Sequence, residues 1–435
     1  MTLTPTGTDS PALLPKTADV VVIGGGVAGV STALFLAQRG VSVVLCEKGR
    51  VAGEQSSRNW GWIRKMGRDH RELPLMIESA RLWEQLAGEM AEDIGYRKCG
   101  ATYLARTPAE LQRHVDWLER NADFGLDSAL LTENETDRFL GRNDQQFMGA
   151  LHTASDAVAE PALAVPALAR HAEAQGVRIV ENCAVRTIEH SAGRVSGVVT
   201  ERGRIASTNV VLAGGVWSRG FLENFGVSFP QLAIKSSVLR TAPASVPCSG
   251  AIGSERVSIR PRKDGGFTLA RSGAAEFQLI PAAFRYFSDY LPMLRERWQI
   301  MKIRAGRQFF GPLGTTRWGA DDISPFERVR IFDPTPDKTL LEDVMKHARE
   351  LFPQLSGVAP VESWAGMIDV VPDEIPAIGP VVGHDGLTVV TGLSGHGFGI
   401  GPGVGLLAAQ IVTGETPIVD PAAFSPARFN RKAAA

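Results

Sequence analysis

The period of the hydrophobic pattern changes several times along this chain, and each change predicts an element. Val20 to Ile23 is a continuous β-branched run, the mark of a strand buried on both faces. An amphipathic stretch follows through Gln38 and stops at Gly40, predicting a helix. Val41 to Cys46 then predicts a second parallel strand. Pro161 to Gly176 predicts a helix with proline at its start and glycine at its stop. Short apolar runs at 177–180, 184–188, 194–200 and 204–206 predict strands, the last two as a hairpin-like pair. The run from Val210 predicts a buried strand closed by Gly214-Gly215 and Trp217-Ser218. "RELPLMIESARLWEQLAGEM" and "TPAELQRHVDWLERNADFG" have helical spacing, and so does "AAFRYFSDYLPMLRERWQIMKIRAG", with basic residues on another face. "RVSIRPRKDGGFTLARSG" predicts a hairpin turning at Lys263-Asp264-Gly265-Gly266. Near the end, "TGLSGHGFGIGPGVG" (Thr391 to Gly405) puts seven glycines in fifteen residues, just before an apolar run at 406–412 that reads as a helix.

At 435 residues the chain holds more than one domain, or one domain with a large insertion. Hydrophobic content of 44% and charged content of 21% fit a globular protein with a large core. A net charge of −1 gives no reason to expect nucleic acid or an anionic membrane as partner. The four cysteines are far apart and form no CxxC, which fits a reducing compartment, here the cytoplasm. No apolar run reaches the roughly 18 residues needed to span a bilayer, and no signal peptide is read at the start. No metal site is expected.

Gly24, Gly26 and Gly29 form a GxGxxG between the first strand and the first helix, and Glu47 follows 18 residues after Gly29. Gly24 permits the tight turn, Gly26 a close approach of pyrophosphate, and Gly29 the packing of helix on strand. The helix N-terminus offers free N–H groups to phosphate, and Glu47 accepts from ribose hydroxyls. The acid at the strand end argues against a 2′-phosphate. The C-terminal glycine loop then favours a flavin over a nicotinamide cofactor: a reduced flavin ring is anionic and gains from a helix N-terminus near it. In that reading Gly392, Gly395 and Gly397 let the backbone pass the ring, and Gly401 to Gly405 start the helix.

The motifs "VVVIGGGVAG…LCEK", "LAGGVWS", "IDVVPDEIPAIGPV" and "GLSGHGFGIGPGVG" together resemble the D-amino-acid oxidase (DAO) family of FAD-dependent oxidoreductases, with its glycine oxidase-like and sarcosine oxidase-like members. The resemblance implies an α/β fold: a Rossmann-like FAD-binding domain interleaved with an α+β substrate domain on an antiparallel sheet. It places the FAD domain at 16–81, 150–225 and 358–419, the substrate domain at 82–149 and 226–357, and tails at 1–15 and 420–435. It implies oxidation of a substrate C–N bond by hydride transfer to flavin N5, followed by imine hydrolysis. Oxygen or a quinone would take the electrons. The substrate is an amino acid or related amine. Alternatives are a flavoprotein subunit of an opine or hydroxyproline oxidase-like complex, or a flavin-binding protein without catalysis. A homo-oligomer is compatible with either enzyme reading.

By the same resemblance the cofactor is bound by Gly24, Gly26, Val27, Ala28, Gly29, Glu47 and Lys48, then Ser56, Ser57, Arg58 and Asn59. Further contacts are Val185, Gly214, Gly215, Trp217, Gly392, Gly395, His396, Gly397 and Phe398. The segment "EQSSRNWGWIRKMGRDH" concentrates arginine and tryptophan where the family runs its chain past the flavin. Arg64 falls where an arginine binds a substrate carboxylate, and Trp60 or Trp62 would line the cavity. Arg64 and His396 are the catalytic candidates, with His396 weighed between a general base and a cofactor contact. The chain departs from the family pattern at three points. Ile368 stands where some members carry a carboxylate-binding arginine, which shifts interest to Arg64, Arg260, Arg271 and Arg304. Gly399 replaces a lysine after "GHGF". No cysteine lies beyond Cys248, so non-covalent FAD is expected. Asp369 and Asp373 read as turn acids; His70 and His152 receive no role.

Overall fold

The protein is described from a computed structural model covering residues 14–430, except 143, 145, 298–300 and 315–316. Its centre is a six-stranded sheet in the order Ala377–Pro380, Leu387–Thr391, Asn209–Leu212, Val20–Ile23, Val43–Cys46 and Arg178–Val180. All neighbours run parallel except the first pair. The unbroken apolar run of Val20–Ile23 is explained by its two covered faces. Val20 and Val22 face a layer of helices that includes Val27–Ala37, Pro161–Ala174 and Gly397–Thr413. Val21 and Ile23 face a three-stranded sheet, Val185–Ser191, Arg194–Thr200 and Gly203–Ala206.

A ten-stranded mixed sheet, dominated by antiparallel pairs, forms the second body. Strand Pro360–Val370 belongs to it, pairing along its length with Leu232–Thr241. Strand Gly149–Thr153 pairs there with Ala101–Ala105 and Ser128–Leu131. The motif-based division puts Pro360–Val370, and all but the first residue of Gly149–Thr153, with the cofactor domain; both strands ladder with the ten-stranded sheet. Their ladder partners are what place them, and such partners are distant in sequence. Pro360–Val370 therefore carries Met367, Ile368 and Asp369 from the ten-stranded sheet to a cavity beside the six-stranded one.

Several other boundaries differ from the pattern-based reading. The second strand starts at Val43, because Asp19 Oδ2 takes the Ser42 N–H and Leu36 O takes the Val41 N–H. The stretch at 282–306 is not one helix. Helices Pro281–Arg285 and Leu291–Arg297 flank a turn, and Met301–Arg304 is a strand paired with Ala275–Gln278. The turn is held by two buried tyrosines: Tyr286 donates to Glu223 Oε1 at 2.8 Å, and Tyr290 to Val370 O at 2.5 Å. Residues 420–430 are packed rather than a tail, with Phe424 in the core and Arg428 paired to Asp373 at 3.0 Å.

The glycine-rich helix departs most from expectation. It starts at Gly397, with His396 as its N-cap, so Gly401, Gly403 and Gly405 lie inside it. They serve packing. A Cβ on Gly405 would stand 2.4 Å from Ser31 Cβ, and one on Gly401 2.5 Å from Val27 Cγ2. A Cβ on Gly403 would stand 2.8 Å from Leu75 O, on helix Leu73–Glu89. Pro402 lacks the N–H that would reach Phe398 O. Trp83 Nε1 supplies a donor instead, 3.0 Å from Phe398 O and 3.1 Å from Gly399 O. One residue on, Gly403 N donates to Ser79 Oγ, which donates to Gly399 O. Helix 73–89 thus repairs the ladder that the proline opens. Trp83→Phe keeps the ring and deletes the donor, stranding a buried carbonyl. The expected cost is about 1–3 kcal/mol, read as a lower thermal midpoint by calorimetry.

Candidate active site

The turn after Val20–Ile23 divides its glycines by task. Gly24 has φ +110°, and a Cβ there would meet Ala213 O at 2.4 Å. A Cβ on Gly29 would meet Gly24 O at 2.0 Å, so this glycine seats the helix on the strand. At Gly26 a Cβ would crowd Ser56 Oγ at 3.1 Å, the hydroxyl that accepts the Val27 N–H at 2.9 Å. Glu47 accepts from Gly25 N and Gly49 N at 2.7 Å each. Burial raises its carboxyl pKa, opposed by those two backbone donors. Two donors leave further lone pairs for a diol.

An elongated cavity starts at this turn. Gly24, Gly26, Val27, Ala28, Glu47, Lys48, Ser56, Asn59, Val185, Gly214, Gly215 and Trp217 line it, and Gly395, Gly397 and Phe398 line its other end. Gly215, at φ +52°, would point a Cβ into open space; Gly395, at φ +84°, would point one to within 3.7 Å of an Ile368 methyl. This bare-backbone cradle, with a helix N-terminus and an acid at one end, fits a dinucleotide.

Other expected contacts do not face the cavity. Gly29 and Ser57 are not among its lining. Arg58 is spent on Phe332 O, Ala365 O and Gly53 O and pairs with Asp333 at 3.1 Å. Gly392 is tucked behind it, where a Cβ would meet Val371 at 2.5 Å. Lys48 lines the wall, but its ammonium is held by Glu54 at 2.6 Å and lies 4.3 Å from the Trp217 ring centroid. Asp369 is more than a turn acid. Buried, it accepts from Gly392 N at 2.7 Å, Leu393 N at 3.2 Å, Thr391 Oγ1 and Gln231 Nε2, and so fixes the loop that leads into the glycine helix.

A second cavity, of about 600 Å³, adjoins the first and shares Gln55, Asn59, Ile368, Gly395 and Phe398 with it. Trp60, Trp62 and Tyr103 form an edge-to-face wall, with centroids 6.2 and 5.9 Å apart. The Arg64 guanidinium lies 5.2 Å from the Tyr103 centroid and donates to Met66 O. Asp156 holds this segment by accepting Lys65 N and Met66 N, and Trp117 Nε1 donates to Arg68 O at 2.8 Å. Arg68 lines the cavity too. It is buried, its Nε donates to Arg64 O, and its Nη1 has no partner. Burial, with the Arg64 charge beside it, lowers its pKa to about 10, so it stays cationic at neutral pH.

His396 lines this second cavity rather than the first. Its Nδ1 lies 3.0 Å from Oε2 of Glu72, a carboxylate with a 0% exposed side chain. Burial pushes the Glu72 pKa up, but His396, Arg68 and Arg64 outweigh it and hold the group below the usual range. Burial and then Arg68 hold the imidazole below its ordinary value. Of the alternative arginines, Arg260 is locked to Glu160 at 2.8 and 3.1 Å, and Arg304 is outside the cavity. Arg271 lines the cavity and lies 3.4 Å from Asp343. Ile368 and Gly399, the two departures from the family pattern expected from the sequence, both line this cavity. His70 pairs with Asn121 and His152 with Thr102, both outside the cavity lining. Arg68 and Glu72 are the residues to which sequence reasoning gave no role. Glu72 reads as an ordinary acid before a helix, and only its burial reveals it.

A family model described as FAD dependent oxidoreductase (DAO) matches residues 19–411. The chain is 28% identical over 429 residues to glycine oxidase of Pseudomonas putida, covering 94% of this chain and 98% of that protein. It is 26% identical over 427 residues to sarcosine oxidase subunit beta of an Arthrobacter species, covering 95% and 91%. The solved L-amino acid deaminase from Proteus vulgaris matches with a TM-score of 0.92 at 30% identity, covering 98% of this chain and 100% of that one. The enzyme from Proteus myxofaciens, solved with anthranilate, matches at 0.91 and 32% identity, covering 96% and 94%. Cradle, cavity and comparisons agree: the chain belongs to the DAO family of FAD-dependent oxidoreductases.

Proposed function

We propose that this enzyme oxidises the C–N bond of an amino acid whose α-carboxylate is held by Arg68 and Arg64. The observation that carries the reading is the buried Arg68 Nη1, which has no partner, beside an Arg64 that pairs with no acid among the described residues. A buried cationic donor left unmade is expensive, and a carboxylate satisfies it with a charge-assisted bond. The relatives' names point the same way: glycine oxidase, sarcosine oxidase and L-amino acid deaminase all act on molecules with a carboxylate and an amine.

FAD, when bound, supplies the hydride acceptor. The N-terminus of helix 27–37 and Glu47 would hold its nucleotide half, and Gly395 and Gly397 would lie along the other half. The chain's own work is to seat the substrate. Arg64 and Arg68 grip the carboxylate, and Trp60, Trp62 and Tyr103 form the wall beside it. This fixes the substrate carbon against the shared boundary of the two cavities. Non-covalent FAD is supported by the cavity lining, in which Cys46 is the cysteine present, beside Glu47 at the nucleotide end. A second reading, transfer of electrons to a partner subunit, draws on the similarity to a sarcosine oxidase beta subunit.

Two outcomes are expected. Purified protein is yellow, releases its flavin into the supernatant on acid precipitation, and is bleached anaerobically by at least one amino acid from a panel of D-, L-, N-methyl and cyclic compounds. A flavin that none of them reduces overturns the reading; flavin retained in the pellet overturns non-covalent attachment. Arg68→Lys keeps the charge and loses the planar fork. It is expected to raise KM by roughly 10- to 100-fold, the loss of one charge-assisted hydrogen bond, measured by steady-state kinetics. An unchanged KM would move the carboxylate site elsewhere.

A further inference from the structure

Glu72 is fully buried, yet packing gives no reason for a charge there. It stands just before helix Leu73–Glu89; Oε2 meets His396 Nδ1 at 3.0 Å, and Oε1 has no partner. A buried carboxylate is costly unless a partner compensates it. Its partner is a histidine whose other nitrogen makes no hydrogen bond among the described residues, and whose side chain is 24% exposed and lines the substrate cavity.

The geometry points to Glu72 as the positioning residue of His396: the carboxylate fixes the imidazole with its proton on Nδ1, and leaves Nε2 as the proton acceptor for the substrate ammonium. This rests on the amino-acid reading above. An acid behind a histidine sets both its tautomer and its ring orientation. In the step itself the ammonium N–H bond breaks and its electron pair stays on the amine. The proton forms a new bond to Nε2, and the resulting imidazolium lies against Glu72. No electrons are exchanged, and the product is the neutral amine, the form ready for oxidation.

The charges around His396 add a coupling. Glu72 favours the imidazolium, whereas Arg68 and then Arg64 oppose it. Of the acids in the cavity lining, Asp69 is engaged by Arg71 and Asp373 by Arg428; Glu374 also lines it. Asp369, on the neighbouring strand, is turned to the Gly392 and Leu393 N–H groups. A substrate carboxylate seated on Arg68 cancels the main opposing charge. His396 therefore becomes a stronger base when the substrate is in place.

The test uses the FAD-loaded protein labelled with nitrogen-15 histidine, with His396 assigned by the signal lost in His396→Gln. The wild type should show the Nδ1–H tautomer, and Glu72→Gln should shift His396 towards Nε2–H. Activity should need neutral His396, giving an acid limb. That limb should lie at higher pH in kcat than in kcat/KM. Glu72→Gln removes the charge that favours the imidazolium, so its acid limb should move to lower pH. Its plateau kcat should fall by roughly 100-fold, the scale of lost proton transfer, while KM stays near the wild-type value. An unchanged tautomer or an unchanged plateau kcat overturns the assignment. If Glu72→Gln does not retain FAD, the His396→Gln profile decides: an acid limb that persists there overturns it. Should no amino acid reduce the wild-type flavin, the amino-acid reading falls, while the tautomer still reports on Glu72.

Discussion

The approach of helix 397–413 to helix 27–37 sets the geometry of the whole site. The two backbones come so close that a single Cβ at Gly405 or Gly401 would collide with Ser31 or Val27. The N-terminus of one helix opens on the nucleotide end of the cofactor cavity, and that of the other lies between the two cavities. Helix 73–89 is fastened to the same core through Trp83 and Ser79, which bond to the carbonyls around Pro402. Glu72 stands at its start. One packing constraint therefore fixes the phosphate-facing N–H groups, His396 and the acid behind it relative to each other. Interiors packed this tightly transmit small displacements rather than absorb them.

Charge is the second organising feature. Most cations near the site are already engaged: Lys48 by Glu54, Arg58 by Asp333, Arg260 by Glu160. Among the described residues Arg64 and Arg68 make no ion pair, and Arg68 keeps a buried nitrogen without a partner. A protein tolerates that cost at a functional site, where the missing partner arrives as ligand. The same arginines depress His396 and stabilise ionised Glu72, so carboxylate binding and proton transfer share one set of charges.

Local pattern revealed the parts that depend on neighbours in sequence. The β-branched run, GxGxxG and Glu47 described a βαβ unit, and the structure contains it. The hairpin at Lys263–Gly266 was equally plain, with Gly265 at φ +82° and Asp264 accepting Gly266 N. What the sequence hid was long-range. Nothing local tells that Pro360–Val370 pairs with Leu232–Thr241, or that Tyr286 and Tyr290 are drawn inward and break an apolar helical period. The glycine density near the C-terminus is legible as a signal, and Gly395 and Gly397 line the elongated cavity. Its cause was misplaced: Gly401 to Gly405 make room for two neighbouring helices rather than begin a helix. Glu72 was invisible because burial, not residue type or spacing, makes it unusual.

Carboxylate capture by Arg68 is what the roles proposed for Arg64, His396 and Glu72 depend on. The most direct measurement is a crystal structure of the FAD-loaded protein with a simple aromatic carboxylate such as benzoate. A carboxylate oxygen is expected within hydrogen-bond distance of Arg68 Nη1, with the ring against Trp60 and Trp62. A carboxylate bound instead at Arg271, with Arg68 Nη1 still lacking a partner, would contradict it.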